Sequence, residues 1–439
     1  MKRLLRGGRV VDPANGVDGT FDVLIDGDRI SRVGRDLPVD DGVQVIEVPR
    51  GFVVVPGLID MHVHLREPGQ EHKETIATGA RSAVAGGFTA MACMPNTTPV
   101  NDSASITELM LKKAAEANLA RVYPIGAVSR GSQGELLADI AELHKAGCCA
   151  ISDDGKPVAT ALLMRRALEY ASMFDMPVID HCEDVSLKGD GVAHEGFVAS
   201  TLGLRGLPAA AETVMVQRDV TLAGLTGGHF HLAHMSVRGA LLAVREGKAQ
   251  GFAVTCEVAP HHFVLTDKYL ETPIQYDTNC KMNPPLREQS DVDAMIEGIA
   301  DGSVDVISTD HAPHHSDEKL QEFDRAPFGI VGLETCVPLV LDRLVHAGHI
   351  SLGRAIELLS VNPAKIIRRP GGSLAEGQVA DITVLAPDAT VTVVASQLKS
   401  KSKNTPFDGW TLRGAAAATI VGGRTVFTNP DVAGAATFA

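Results

Sequence analysis

His62 and His64 lie two residues apart at the end of Val53-Val54-Val55-Pro56-Gly57-Leu58-Ile59-Asp60-Met61-His62-Val63-His64, an apolar run rich in β-branched residues. Side chains at i and i+2 of a strand share a face, so the spacing predicts two imidazoles side by side at a strand's C-terminal tip. Two neutral nitrogen donors on one rigid face are half of a zinc-type site. The spacing alone carries little weight. With 16 His in 439 residues, chance supplies roughly 0.6 such pairs per chain. A second pair does occur, at His229 and His231. Position raises the first above chance, as does Arg66, two residues further along the same face.

Four more apolar runs end in groups that could complete such a site. They are Ala150-Ile151-Ser152-Asp153-Asp154, Pro177-Val178-Ile179-Asp180-His181, Phe230-His231-Leu232-Ala233-His234 and Asp305-Val306-Ile307-Ser308-Thr309-Asp310. An imidazole or carboxylate buried without a partner is costly. One such strand end is as easily a satisfied polar group at a barrel rim; five together predict a metal cluster. Neighbours alternate in direction, so only one of Asp153 and Asp154 can face inward. His229 and His231 sit earlier on their run than His234 and read as structural.

These runs are the repeating unit of the chain. Between about residues 53 and 368, eight short apolar runs alternate with amphipathic stretches such as Ala104–Asn118, Thr160–Met173 and Ala209–Leu225. That alternation predicts an α/β fold, a (β/α)8 TIM-type barrel over 53–372, with its active site at the C-terminal ends of the strands. The flanks, 1–52 and 373–439, read as short strands broken by turns and are expected to pack together as one small composite β-sandwich domain. The stretch His314–Phe328, directly after the last strand, is long and irregular, the character of an active-site lid.

Composition narrows the function. A net charge of −14 argues against nonspecific nucleic-acid or anionic-membrane binding, so an anionic substrate would need a local cationic site. No apolar run is long enough to span a bilayer, and the N-terminal residues lack a signal peptide's apolar core. Seven cysteines, odd in number and without a Cys-x-x-Cys, fit buried thiols in a reducing cytoplasm.

The order His-x-His, a carboxylate on the fourth strand, two single histidines and a final aspartate resembles the amidohydrolase superfamily. More narrowly, the chain resembles the class I (long, bacterial-type) dihydroorotases over nearly its whole length. The blocks that carry this are Asp60–Gly69, Met94-Pro95-Asn96-Thr97, Asp180–Asp184, Thr278–Arg287, Thr309–His314 and Ser402–Phe407. The resemblance implies a first zinc on His62, His64 and Asp310, a second on His181 and His234, and Asp154 bridging them; family spacing selects Asp154 over Asp153. Hydantoinases and short-type dihydroorotases place a carboxylated lysine at a bridge, whereas here the nearby Lys156 lies past the strand end.

The implied reaction is reversible opening of the cyclic amide of dihydroorotate to N-carbamoyl-aspartate, in pyrimidine biosynthesis. Asp310, at the tip of the last strand, is the expected proton acceptor and donor. Arg66 is expected to hold the substrate carboxylate in a bidentate fork. The family implies Asn96 and His314 as further carboxylate contacts, Asn279 as a ring contact, and backbone groups of Phe328 and Gly329 against the ring. A homodimer is expected, and a complex with aspartate transcarbamoylase is open to it. The rival enzyme is another cyclic amidase, a hydantoinase or allantoinase. The rival of another class is a noncatalytic scaffold, which filled ligand positions disfavour.

Overall fold

Eighteen strands build two sheets and a small ribbon in this computed structural model, which describes residues 2–439. The strands are β1 (Lys2–Asp12), β2 (Val17–Asp26), β3 (Arg29–Gly34), β4 (Val43–Glu47), β5 (Val53–Pro56), β6 (Leu58–Val63), β7 (Phe88–Cys93), β8 (Arg121–Gly126) and β9 (Ala150–Ser152). They continue as β10 (Val178–Asp180), β11 (Ala193–His194), β12 (Gly206–Leu207), β13 (Phe230–Leu232), β14 (Val254–Val258), β15 (Val306–Ile307), β16 (Ile382–Thr392), β17 (Thr411–Val421) and β18 (Arg424–Thr428).

The barrel runs β6-β7-β8-β9-β10-β13-β14-β15, with every neighbouring pair parallel. A parallel bridge between Val63 and His311, with His64 N–H donating to His311 O at 2.9 Å, joins the last strand back to the first. Both faces of this sheet are buried, as a parallel sheet requires. One apolar cluster packs strand residues such as Phe88, Ile151, Val178 and Phe230 against helix residues such as Ala83, Leu168 and Val244. Another joins Ile59, Met61, Ala90, Ile125, Ile179 and Val306 to Ile366 and Ile367 of the helix Asn362–Ile367. The helices start where capping residues allow. Thr75 closes a capping box on Ile76–Ala85, and Thr160 accepts from Leu163 N–H ahead of Ala161–Ser172.

The chain ends meet in a second sheet, ordered β18-β17-β16-β5-β1-β2-β3, with β4 also on β1. It branches at β1, whose Lys2–Arg6 pairs with β4 and whose Arg9 and Val10 pair with β5. Its core holds Leu5, Val10, Ile25, Val384 and Ile420, with Phe52 and Phe438 stacked at 6.3 Å.

The structure divides the first apolar run where the sequence reading ran it together. Val53–Pro56 pairs with β1 and β16 in the terminal sheet, and the barrel begins only at Leu58. Gly57 is the joint. A Cβ there would fall 2.2 Å from Thr89 Oγ1, so no other residue fits without displacing β7.

Candidate metal centre and active site

The strand ends named by sequence converge. His62 lies near the end of β6 and His64 just past it, at a register shift between Asp60 and Val63, an irregularity of the kind that re-aims side chains beside active sites. Their rings lie 5.4 Å apart. His62 Nε2 is 3.5 Å from both Asp154 Oδ2 and Asp310 Oδ1, and His64 Nε2 is 3.5 and 3.1 Å from the same atoms. The other oxygen of Asp154 faces the other histidines: Oδ1 lies 3.5 Å from His234 Nε2 and 3.9 Å from His181 Nδ1. Those two nitrogens are 2.8 Å apart. Asp154 therefore stands between two nitrogen pairs with one oxygen toward each. Asp153 turns away, accepting from Ser129 N–H at 3.1 Å and from the Ser129 hydroxyl.

The donor set fits a cation. His62 Nε2 and Asp154 Oδ1 are buried polar atoms without a hydrogen-bond partner, and two three-residue groupings, His62/His64/Asp310 and His62/Asp154/His234, hold ligand-type atoms within 4.8 Å. Electrostatics point the same way. Burial resists a charge on His62, yet Asp154 and Glu257 raise its pKa well above the ordinary imidazole value. Burial likewise opposes ionisation of Asp154, but His62, His234 and His64 hold its carboxyl well below the usual range. Carboxylates this deep demand positive charge beside them.

Neighbouring groups set the tautomers. Glu257 Oε1 accepts from His62 Nδ1 at 2.5 Å and Asn96 Oδ1 from His64 Nδ1 at 2.9 Å, which frees each Nε2 as a ligand. Asn283 meets His181 Nε2 at 3.0 Å. Glu257 escaped the sequence reading although it obeys the rule applied to the others, a carboxylate near the end of an apolar strand. Asn283 carried no such signal.

Three residues of the site hold unusual backbone conformations. Arg66, His234 and Asp310 adopt φ of 62°, 32° and 48°, a region that non-glycine residues rarely occupy.

Arg66 is buried and donates Nε–H to Pro313 O at 3.1 Å. Its Nη2 lies 3.3 Å from His314 Nε2, but that nitrogen is 2.8 Å from Phe328 O and donates there. His314 is held neutral by burial and by the cations Arg66, Lys73 and Lys319. Arg66 thus has no acceptor at Nη2 from His314, and among the described residues no carboxylate pairs with it. A buried, unpaired guanidinium is an anion site. The structure brings His314 beside Arg66 but engages both its ring nitrogens, Nδ1 facing Lys73 Nζ at 3.4 Å. Asn96 lies against the same region, where a Cβ on Gly155 would come within 3.2 Å of its Nδ2. Asn279, in the turn Thr278–Cys280, shares with His314 a cavity of 480 Å³ that Lys401–Asn404 also line. Gly329 has φ of 124°, and a Cβ would meet that of Ala312 at 2.6 Å.

A parallel eight-stranded barrel with imidazoles and carboxylates converging at its C-terminal rim defines a hydrolase of the amidohydrolase class. A family model described as dihydro-orotase-like matches residues 51–240, and an amidohydrolase family model matches 310–427. The chain is 52% identical over 431 residues to the dihydroorotase of Syntrophotalea carbinolica, covering 98% of this chain and 100% of that one. It is 51% identical over 427 residues to that of Geobacter metallireducens, covering 97% and 100%. Among solved structures, the L-hydantoinase (dihydropyrimidinase) of Arthrobacter aurescens superposes with a TM-score of 0.87 at 23% identity, covering 97% of this chain and 96% of that one, a likeness of fold. The chain belongs to the dihydroorotase family, hydrolases that act on a cyclic amide.

Proposed function

We propose that this protein interconverts dihydroorotate and N-carbamoyl-aspartate at a two-zinc centre. One zinc would be held by His62, His64 and Asp310, the other by His181 and His234, with Asp154 between them. The observation that carries the reading is Asp154, whose two oxygens face two different histidine pairs, with the buried Arg66, free of any carboxylate partner among the described residues, two residues beyond His64. When bound, zinc acidifies water toward neutral pH and polarises an amide carbonyl. The chain's own groups do the rest. Arg66 takes the substrate carboxylate in its open fork, and Asn96, His314, Asn279 and the Phe328–Gly329 backbone bound the space around the ring.

Asp310 moves the proton. Burial opposes its ionisation, but its close contact with His64 and the nearby His62 hold its pKa below the usual range, so it is a carboxylate at neutral pH. In that form it accepts a proton from the attacking water and returns it to the amide nitrogen that leaves, worth roughly 10² to 10⁴ in rate. The reading extends to a cytoplasmic homodimer able to join aspartate transcarbamoylase. The seven cysteines support that compartment, all being buried and unpaired, and no helix of the described residues is long and apolar enough to cross a membrane.

The test is dihydroorotate turnover against bound metal. Chelation should abolish turnover and zinc should restore it at about two ions per chain. Full turnover by metal-free protein sinks the reading. Co-elution of the two proteins on size exclusion tests the complex.

A further inference from the structure

The segment 398–405, far beyond the barrel in sequence, lies across the two rim loops that carry the anion site. Ser400 Oγ and Lys401 N–H donate to Glu74, and Ser402 Oγ donates to Lys73 O at 2.7 Å, all on the loop that follows Arg66. On the other side the same segment reaches the loop after β15 through one side chain. Asn404 Oδ1 accepts from His314 N–H at 3.1 Å, and its Nδ2 donates to Ala312 O at 3.1 Å and Gly329 O at 3.0 Å. Its main-chain oxygen accepts from Val331 N–H at 2.9 Å.

This is a clasp on the stem of a loop. Ala312 and His314 begin the excursion, Gly329 and Val331 end it, and one buried amide holds both ends. The chemistry selects asparagine. Two carbonyls need two donors and one N–H needs an acceptor, and a primary amide offers that set from one short side chain. Aspartate has the same shape without donors. The hydrogen bonds of Asn404 go to the loop and none goes to a residue of the metal cluster.

We propose that Asn404 is a positioning residue for the substrate carboxylate: by fixing both ends of the loop 312–329 it keeps His314 and the Phe328–Gly329 backbone in register with Arg66. This rests on the proposed function, because Arg66 must be the carboxylate's partner. Pro313 O accepts from Arg66 Nε within the clasped stem, so a shift of the stem is a shift of the guanidinium. Buried hydrogen bonds lost without replacement cost enough, at one decade per 1.4 kcal/mol, for a rise in KM of about 10-fold or more.

A double-mutant cycle with dihydroorotate decides it, using Arg66→Ala, Asn404→Ala and the pair. Asn404→Ala should raise KM about 10-fold with kcat within about threefold and metal content unchanged. In the Arg66→Ala background the same change should add less than about twofold, because the group it positions is gone. Effects on KM that multiply across the cycle, an unchanged KM, or a fall confined to kcat overturn the proposal. If Asn404→Ala does not fold, Asn404→Ser, uncharged and too short to bridge both carbonyls, completes the same cycle with the same expectations. Wild-type protein that fails to turn over dihydroorotate refutes the proposed function instead, an outcome separate from any result of the cycle.

Discussion

The proton on His62 Nδ1 decides what its other nitrogen can do, and Glu257 owns that proton. Glu257 Oε1 accepts it at 2.5 Å, Oε2 accepts from Ser308 Oγ at 2.6 Å, and His231 Nε2 stands 3.4 Å away. Burial resists ionising this carboxyl, but His62 and His231 hold its pKa far below the usual range, so it stays charged. A charged acceptor orients the ring and makes Nε2 a better donor to a cation. Glu257→Gln keeps the shape and removes the charge. Metal affinity is expected to fall about 10- to 100-fold, the range found when such supporting groups are removed. Competition against a chelator of known affinity at fixed pH measures it, and an unchanged affinity refutes the role. His231, one of a His-x-His pair in the sequence, is thereby accounted for as a neighbour of Glu257.

Among the elements, the loop after β15 is held by two lysines to which the sequence reading gave no role. Lys281 Nζ donates to Phe323 O at 2.6 Å and Asp324 O at 3.1 Å, and Lys319 Nζ donates to Pro327 O at 2.8 Å. Their partners are carbonyls, so burial is uncompensated. It brings Lys319 down to about 7, helped by Lys281 and opposed by Asp277 and Glu318, and Lys281 down to about 8. Below the folded value both closed and open loops carry the proton and the balance is flat. Between about 7 and the ordinary 10.5 the closed loop binds fewer protons than the open one, so closure strengthens as pH rises. Hydrogen exchange over 314–328, corrected for intrinsic rates, should show opening that declines by up to about tenfold per pH unit between 7 and 8, where Lys319 alone is linked, and more steeply above 8, where Lys281 joins it. Lys319→Met should flatten much of that slope, and a wild-type slope of zero discards the idea. Elements were legible in the sequence where periodicity and chemistry coincided: each barrel strand, and the five tips bearing His or Asp. The boundary at Gly57 was not, because β5 and β6 are both buried on both faces and read as one apolar run. The Pro56-Gly57 pair inside that run was the available signal. Asn404 and Lys281 lie in blocks that carry the family resemblance, yet their roles were illegible, as was that of Lys319, because their partners are main-chain atoms that the spacing of residue types does not encode.

At the scale of the whole molecule, the terminal sheet and the barrel are stitched too closely to unfold apart. Gly57 N–H donates to Asp381 O at 2.9 Å, Thr383 Oγ1 donates to Gly87 O at 2.6 Å, and Arg121 grips Asp381 through Nε at 2.6 Å and Nη2 at 3.0 Å. The sole tryptophan, Trp410, reports on this junction. It packs on Phe407 at 5.2 Å and on Tyr269 at 6.1 Å, with the Arg343 guanidinium 5.3 Å over its ring. Phe438, in the helical turn Ala435–Phe438, packs elsewhere on the terminal sheet, fully buried against Phe52 in the separate cluster of Leu5, Val10 and Ile420. Phe438→Ala should cost about 3–5 kcal/mol as a core truncation. If the two sheets form one cooperative unit, that loss is felt at Trp410 and in the barrel helices alike. Denaturant midpoints from Trp410 fluorescence and from far-UV circular dichroism should then coincide in the wild type and fall together in the variant, with the slope unchanged. A variant whose fluorescence transition moves while the helical signal stays in place would show that the terminal sheet melts alone. The segment 398–405 would then be able to release the rim loops while the barrel stays folded. Coincident midpoints mean instead that the clasp on the anion site is as stable as the barrel it sits on.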